Sequence, residues 1–590
     1  MTAARRKARR KHVTLALAGT VALTSCGLLG PDSGQDVAGQ FTDALADRDV
    51  DRAASLTDDP AAAADVLRRT FDGLGADTAA TFTVESADDS RFTYRSAWDF
   101  GGGRVWDYSS TAALRTVDGD RRIEWSADVV NDRLQPGQAV QFTPIADTRA
   151  VLDANAMPLL APQTVTVVDA DPRVLASDPA TAARVTSLLG GPVPGFTLPR
   201  PDPSSERVNL VSLRQEDAAP IRAELETLPG IVLSDQLRLL TVDRTLTSPL
   251  VSGIRQEWES RQQQSSGWRV QTVNPDGEVA GTLAGGDPAD GTVVRTTIDP
   301  NVQRFAQQAV DTESRASALV ALDASSGRVL AVAQNKAADE SGPIALTGLY
   351  PPGSTFKTIT TTAALSDGTV TADSMVDCPG TATIEGRTIP NDDEFDLGRV
   401  PLHTAFAHSC NTTMGKLAVG MAPDELQQQA LDFGLGVDYV TPGMTTVTGS
   451  VPSTDTPAQR VEAAIGQGEN LASPFGMAMV AATVGSGRTP LPQLIAGEPG
   501  TADHDAQPID PGRLDALRAM MTETVDAGTA TSLTDIPGLM GKTGTAEAGN
   551  SAHGWFVGVD GNIAFAVLVV DGDSSRPALD IAGKFLRPLG

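Results

Sequence analysis

The sequence predicts a chain of several domains, α+β in its first part and α/β in its last, and three observations carry that prediction. Helical apolar spacing from Val37 to about Gly75 gives way to strand alternation from Ala79 to about Trp125. A middle region mixes short strands and helices between Pro- and Gly-rich breaks. The last part has strands first, helices between and strands last, the pattern of a sandwich whose sheet is built from both ends of its domain. With 590 residues, 41% of them hydrophobic, the chain can fill several cores, and a disordered or fibrous protein is excluded.

The N-terminus opens with the basic segment Arg5-Arg6-Lys7-Ala8-Arg9-Arg10-Lys11. An apolar run follows from Val13 to Leu23, 11 residues against the roughly 20 a spanning helix needs, so residues 1–25 read as an export signal peptide. The run ends in Leu23-Thr24-Ser25-Cys26, which is similar to the bacterial lipobox and implies lipid attachment at Cys26, with 26–36 as a lipid-anchored linker. Ordinary secretory cleavage beside an incidental Cys is the alternative. Cleavage before Cys26 removes six basic residues and no acidic one, leaving 40 basic against 74 acidic residues and a formal charge of −34. Such a body gains nothing electrostatically from an anionic membrane surface, and a covalent lipid would hold it there.

Residues 37–147 read as an α+β domain. Val37, Phe41, Leu45, Val66, Leu67 and Phe71 mark its helices; Thr81–Val84, Phe92–Tyr94, Val105–Tyr108 and Ile123–Trp125 mark strands, with turns at Gly101-Gly102-Gly103 and Asp118-Gly119-Asp120. Residues 148–291 hold a strand at Val165–Val168, a helix over Ala219–Leu228 and a polar helix over Ile254–Gln263. Nothing there has catalytic spacing, and the region reads as structural. In 292–590, Asp299-Pro300 opens a helix over Asn301–Val310, and Ser317–Asp323 and Val329–Ala333 form a hairpin around Ser325-Ser326-Gly327. Strands return at His553–Val559 and Ile563–Val570.

A formal charge of −28 opposes nucleic-acid binding, which depends on Lys and Arg neutralising phosphates. Five His and three Cys provide no CxxC and no HExxH, so a zinc site is not expected, while carboxylate sites for Mg or Ca stay open. No cofactor is expected. Export admits an oxidising compartment in which Cys378 and Cys410 could pair, subject to their geometry.

Only seven of the 46 basic residues are Lys, and each asks for a reason. Pro351-Pro352-Gly353-Ser354-Thr355-Phe356-Lys357 places a Ser at the start of a helix with a Lys one turn on, on the same face. Lys can activate a Ser hydroxyl once burial and nearby positive charge lower its pKa; Arg cannot, because it does not deprotonate in proteins. The alternative is a Ser that caps the helix beside a solvated Lys. Ser-x-x-Lys occurs once in the chain, which favours the nucleophile. Ser409-Cys410-Asn411 adds a second hydroxyl and an amide, and Lys542-Thr543-Gly544-Thr545 adds a second Lys beside small residues that let a substrate backbone lie along a strand edge.

Ser-x-x-Lys, then Ser-x-Asn, then Lys-Thr-Gly, with Ile465-Gly466-Gln467-Gly468 and Ala546-Glu547 as flanking matches, resembles the penicillin-binding proteins and serine β-lactamases. Upstream, the pattern is similar to class B, monofunctional penicillin-binding proteins of lipoprotein type, with an N-terminal extension like that of staphylococcal resistance transpeptidases. The resemblance implies a cone-like NTF2-like α+β domain over 37–147, a non-catalytic dimerisation-type domain over 148–291 and a serine β-lactamase/transpeptidase-like α/β domain over 292–590. No glycosyltransferase region is read upstream, which argues against a bifunctional enzyme.

The activity so implied is peptidoglycan D,D-transpeptidation. Ser354 attacks the penultimate D-Ala carbonyl of a stem peptide with Lys357 as base, and D-Ala leaves an acyl-enzyme. Ser409 and Lys542 relay a proton to the leaving amine; Asn411 orients Lys357 and bonds the substrate amide. The Ser354 and Thr545 N–H groups form the oxyanion hole, the Thr543 and Thr545 hydroxyls hold the terminal carboxylate, and Gly544 completes the binding strand. Stem peptides and β-lactams are the implied ligands, other cell-wall synthesis or division proteins the implied partners, and the outer face of the cell membrane, through the lipid, the implied location.

A D,D-carboxypeptidase or β-lactamase passing the acyl group to water, and a non-catalytic scaffold or β-lactam sensor, are the alternatives. None of Glu425, Glu462, Glu469, Glu498 and Glu523 sits in a β-lactamase loop motif. Cys410 reads as a packed thiol or disulfide partner, Gly466, Gly468 and Glu469 as cleft floor, and His553 as structural; His403 and His408 carry no assignment.

Overall fold

A computed structural model describes residues 33–75, 78–145, 149–199, 207–287, 293–366 and 368–590. The signal segment and Cys26 lie outside the described residues. The chain divides into two compact units: one takes the chain up to Ala146 together with Ser266–Ala289, the other Asp147–Ser265 and Asp290–Gly590.

The first unit begins with helices Gly34–Ala46, Val50–Ser55 and Pro60–Leu74. Ser33 and Asp36 close a reciprocal capping box on the first, and Asp59 caps the third with Pro60 at its first position. Val37, Phe41, Leu45, Leu67, Phe71 and Leu74 bury one face of these helices. They cover an antiparallel sheet of Ala79–Ala87, Arg91–Asp99, Val105–Val117 and Asp120–Ile123, in that order. In Arg91–Asp99 the residues Phe92, Tyr94, Ser96 and Trp98 are buried, the period of two that alternation requires.

One segment falls differently from the sequence reading. Gly267–Val273 and Val279–Gly286, placed by that reading at the end of 148–291, pair with Ala139–Ile145 as a three-stranded sheet of the first unit. Phe142 and Trp268 pack with Phe100 and supply the apolar reason.

In the second unit, the long strand Pro158–Ala170 pairs with Val208–Arg214 and Ile231–Thr241. The helix Leu250–Ser265 and the residues leading into it tie this region to the rest: Arg261 bonds Glu498 through two nitrogens at 2.9 and 2.6 Å, and Ser248, just before the helix, donates through Oγ to Val332 O at 2.7 Å.

The main sheet of this unit has five antiparallel strands in the order Val329–Gln334, Ser317–Asp323, Ile563–Val569, Ser551–Asp560 and Met540–Ala548. It is built from both ends of the domain, as the sequence suggests. All seven residues of Ser317–Asp323 are buried, because helices cover both faces. Leu319, Ala321, Phe565 and Val567 pack with Pro300–Val310 and Arg576–Leu586; Ala318, Val320, Ala564 and Ala566 pack with Pro474–Ser486. That last helix is apolar on every side because it lies between the sheet and the remaining helices. Met540–Ala548, which carries the Lys-Thr-Gly residues, is the edge strand, with one side left unpaired in the sheet.

Candidate active site

The turn Gly353–Phe356 lies against the edge strand and leads directly into the helix Lys357–Ser366. Two glycines make this approach possible. A Cβ on Gly353, whose φ is +52°, would lie 2.6 Å from Thr545 O, and a Cβ on Gly544 would meet Thr355 Cγ2 at 2.9 Å. The turn is fixed from behind by Trp555 Nε1 donating to Pro351 O at 2.9 Å and by Gly353 N donating to Gly466 O at 3.0 Å. Ser354 therefore stands in the first turn of a helix, where its N–H has no intrahelical carbonyl to bond.

Lys357 is completely buried. Its Nζ donates to Ser409 O at 2.6 Å, Ser409 Oγ at 3.1 Å and Asn411 Oδ1 at 2.5 Å, one acceptor for each ammonium proton. Ser409 offers both oxygens because its backbone is left-handed, with φ +64°, a conformation that costs a non-glycine residue about 1–3 kcal/mol. Burial lowers the Lys357 pKa well below 10.5, the charge of Lys542 lowers it further, and Asp392 opposes both. The group is thus driven toward its neutral, basic form while its cradle can still receive the charged one. When neutral it keeps two donors and gains a lone pair, which can take the Ser354 proton.

Asn411 is held at both ends. Its Nδ2 donates to Pro390 O at 2.9 Å, and its backbone N donates to Asn391 Oδ1 at 2.8 Å. The Cys378–Cys410 disulfide, which the sequence leaves open, is formed and anchors the middle residue of this motif to the strand Met375–Cys378. Cys410 is therefore no second nucleophile.

Lys542 is also fully buried, under the Phe406 ring, with its Nζ 5.6 Å from the ring centroid and donating to Thr543 O at 3.1 Å. Burial alone lowers its pKa from 10.5 to about 7. Ser409 Oγ takes its bond from Lys357 and none from Lys542, so the relay implied by the resemblance is not joined in this state. The shift has a consequence for stability. An unfolded chain binds a proton at Lys542 that the folded chain lacks between about pH 7 and 10.5, so unfolding free energy rises with pH across that window, by at most about 1.4 kcal/mol per pH unit from this group. Denaturant unfolding of wild type and Lys542→Met at several pH values checks this: the variant is expected to have the shallower slope.

These residues open on a cleft of about 1010 Å³ lined by Ser354, Ser409, Asn411, Thr543 and Thr545, among others. Of the three residues read as cleft floor, Gly468 lines it, beside Ile465 and Gln467, while Gly466 and Glu469 do not; Gly466 instead stands behind the Gly353 turn. His553 is buried against the Tyr350 ring and its Nδ1 accepts the Asp571 N–H, a structural role. His403 bonds Glu523 at 2.5 Å, and His408 lines the cleft. The sequence reading missed Asn391, which holds Asn411, and Thr529, whose hydroxyl lies 2.6 Å from that of Thr543. Neither belongs to a motif; the only signal is Gly528-Thr529 following a helix shortly before Lys542.

Residues 317–589 match the family model for the penicillin binding protein transpeptidase domain, and residues 33–138 match that for the NTF2-like N-terminal transpeptidase domain. The chain belongs to the penicillin-binding transpeptidases. Among its relatives, the peptidoglycan D,D-transpeptidase PbpA of Mycolicibacterium smegmatis is 29% identical over 371 residues, covering 53% of this penicillin-binding protein and 73% of that one. PbpA of Mycobacterium tuberculosis is 28% identical over 369 residues with the same coverage. A structure of the complex between penicillin-binding protein PBP2 and MreC from Helicobacter pylori shares the fold, with a TM-score of 0.58 at 17% identity, covering 76% of this chain and 99% of that one.

Proposed function

We propose that this penicillin-binding protein cross-links peptidoglycan stem peptides through an acyl-enzyme on Ser354. The observation that carries this reading is the buried Lys357 cradled by Ser409 O, Ser409 Oγ and Asn411 Oδ1 beside the Ser354 turn. Lys357 Nζ takes the Ser354 proton as Oγ attacks the penultimate D-Ala carbonyl. The Ser354 and Thr545 N–H groups receive the oxyanion. Collapse breaks the peptide bond to the terminal D-Ala, whose amine leaves with the proton Lys357 took up, relayed by Ser409 and by Lys542, whose pKa burial lowers to about 7. An amine of a second stem peptide then attacks the ester, forming the cross-link and returning the proton to Ser354. Thr543 and Thr545 hold the donor's terminal carboxylate, with Gly544 allowing the close strand edge.

A lipid on Cys26 holds the protein at the outer face of the cell membrane, with residues 37–147 and 148–291 acting as the spacer before the transpeptidase domain of 292–590. Other cell-wall synthesis or division proteins are its partners. Intact mass of the purified protein with benzylpenicillin tests the chemistry. We expect one adduct per chain that persists for many minutes and is missing from Ser354→Ala. Intact drug with no adduct sinks the enzymatic reading; rapid drug loss without an accumulating adduct makes the protein a hydrolase.

A further inference from the structure

Thr529 lies in the turn after the helix Pro511–Asp526 and lines the cleft, yet none of the three motifs contains it. Its position is set by the helix end that precedes Ser409. A Cβ on Gly528 would lie 2.3 Å from Ala407 O, and Thr529 N donates to that carbonyl at 3.2 Å. Its Oγ1 is 2.6 Å from Thr543 Oγ1 and 3.5 Å from Ala407 O.

Two hydroxyls at this separation share one proton between their oxygens, so the chain of bonds runs one of two ways. In one, Thr543 donates to Thr529, whose own proton goes to Ala407 O at a long 3.5 Å. In the other, Thr529 donates to Thr543, and the Thr543 proton is free to point into the cleft. An anion in the cleft accepts and cannot donate, and a bond to it is roughly twice as strong as one between neutral groups. A carboxylate beside Thr543 therefore draws the chain into the second direction at the expense only of the weak Ala407 contact. A neutral ester or amide at the same place draws it much less.

We propose that Thr529 is a positioning residue for specificity: it donates to Thr543 Oγ1, so that the Thr543 hydroxyl proton is turned to the carboxylate of the acyl donor. This rests on the reading of Ser354 and Thr543 given above.

The test compares acylation of the full protein by benzylpenicillin and by benzylpenicillin methyl ester. The readout is the ratio of the two second-order rate constants, measured on one preparation, so that partial misfolding cancels. Thr529→Val is expected to lower the acid-to-ester ratio about tenfold, Thr529→Ser to keep it, and Thr543→Val to lower it with no further loss in the double variant. An unchanged ratio in Thr529→Val, or equal loss toward both drugs, overturns the proposal. Absence of any adduct on the wild type instead overturns the Ser354 reading on which it rests.

Discussion

Lys357→Arg is expected to lower the rate of acylation by β-lactam on the order of 10³-fold, within the range general bases supply. Arginine keeps the positive charge and can still donate to Ser409 and Asn411, but it cannot shed a proton to become a base. The same logic sets the pH profile. The wild-type rate falls as pH falls, because Lys357 takes up a proton, and the midpoint lies well below the ordinary lysine value of 10.5. Asn411→Asp puts a carboxylate against Nζ and favours its charged form, so the acid limb moves to higher pH. Lys542→Met removes a positive neighbour and moves it the same way. Stopped-flow acylation across the acidic and neutral range checks all three; a Lys357→Arg enzyme acylated at the wild-type rate would remove Lys357 from the chemistry.

Gly466→Ala is expected to have the second large effect, and on a residue that performs no chemistry. At φ +73° its added Cβ would sit 2.0 Å from Gly353 O and 2.9 Å from Gly353 N. A left-handed alanine costs about 1–3 kcal/mol, and the overlap is with backbone, which adds a similar amount. We expect about 3–5 kcal/mol of lost stability. Relief moves the Gly353 turn and Ser354 with it, and a displacement near 1 Å is expected to slow acylation on the order of 100-fold. Gly468→Ala is the control. Its φ is +72°, but its Cβ would meet nothing closer than Glu462 Cβ at 3.5 Å, so it should show the conformational cost alone. Equal losses in the two variants would mean that contact with Gly353 is not what matters. Denaturant melts and acylation rates separate the outcomes.

The sequence made the chemical residues legible because each belongs to a short motif. Ser354, Lys357, Ser409, Asn411 and Lys542 are singled out by motifs that resemble those of the penicillin-binding proteins, and the fold brings them to one place. The strands flanking the catalytic domain were legible too, since Ser317–Asp323 and Ile563–Val569 are apolar runs. Thr529 and Asn391 were not legible, because a lone hydroxyl or amide gains meaning only from the atom it touches across the fold. The sheet partner of the hairpin Gly267–Val273/Val279–Gly286 is hidden for a related reason. Alternation in Trp268, Val270 and Thr272 announces a strand but not its neighbour, and the partner, Ala139–Ile145, lies far back in the chain. The disulfide stayed open because pairing depends on a Cα separation, here 6.1 Å, that spacing along the chain does not reveal.

Strand order also governs when the site can come into being. Val320 pairs with Ala566, Ala566 with Val557, and Val557 with Lys542 on the edge strand. Ser354 and Lys357 are therefore synthesised long before the strands that complete their surroundings. A chain delivered amino end first holds the hairpin Ser317–Asp323/Val329–Gln334 with one edge open and both faces apolar until its last strands arrive. Contacts spanning so much sequence close slowly, and an open apolar edge invites wrong partners meanwhile. Maturation of this enzyme is thus a race between closure of its sheet and aggregation, and a chain cut before Ile563 would keep Ser354 and Lys357 yet have no framework to seat Lys542.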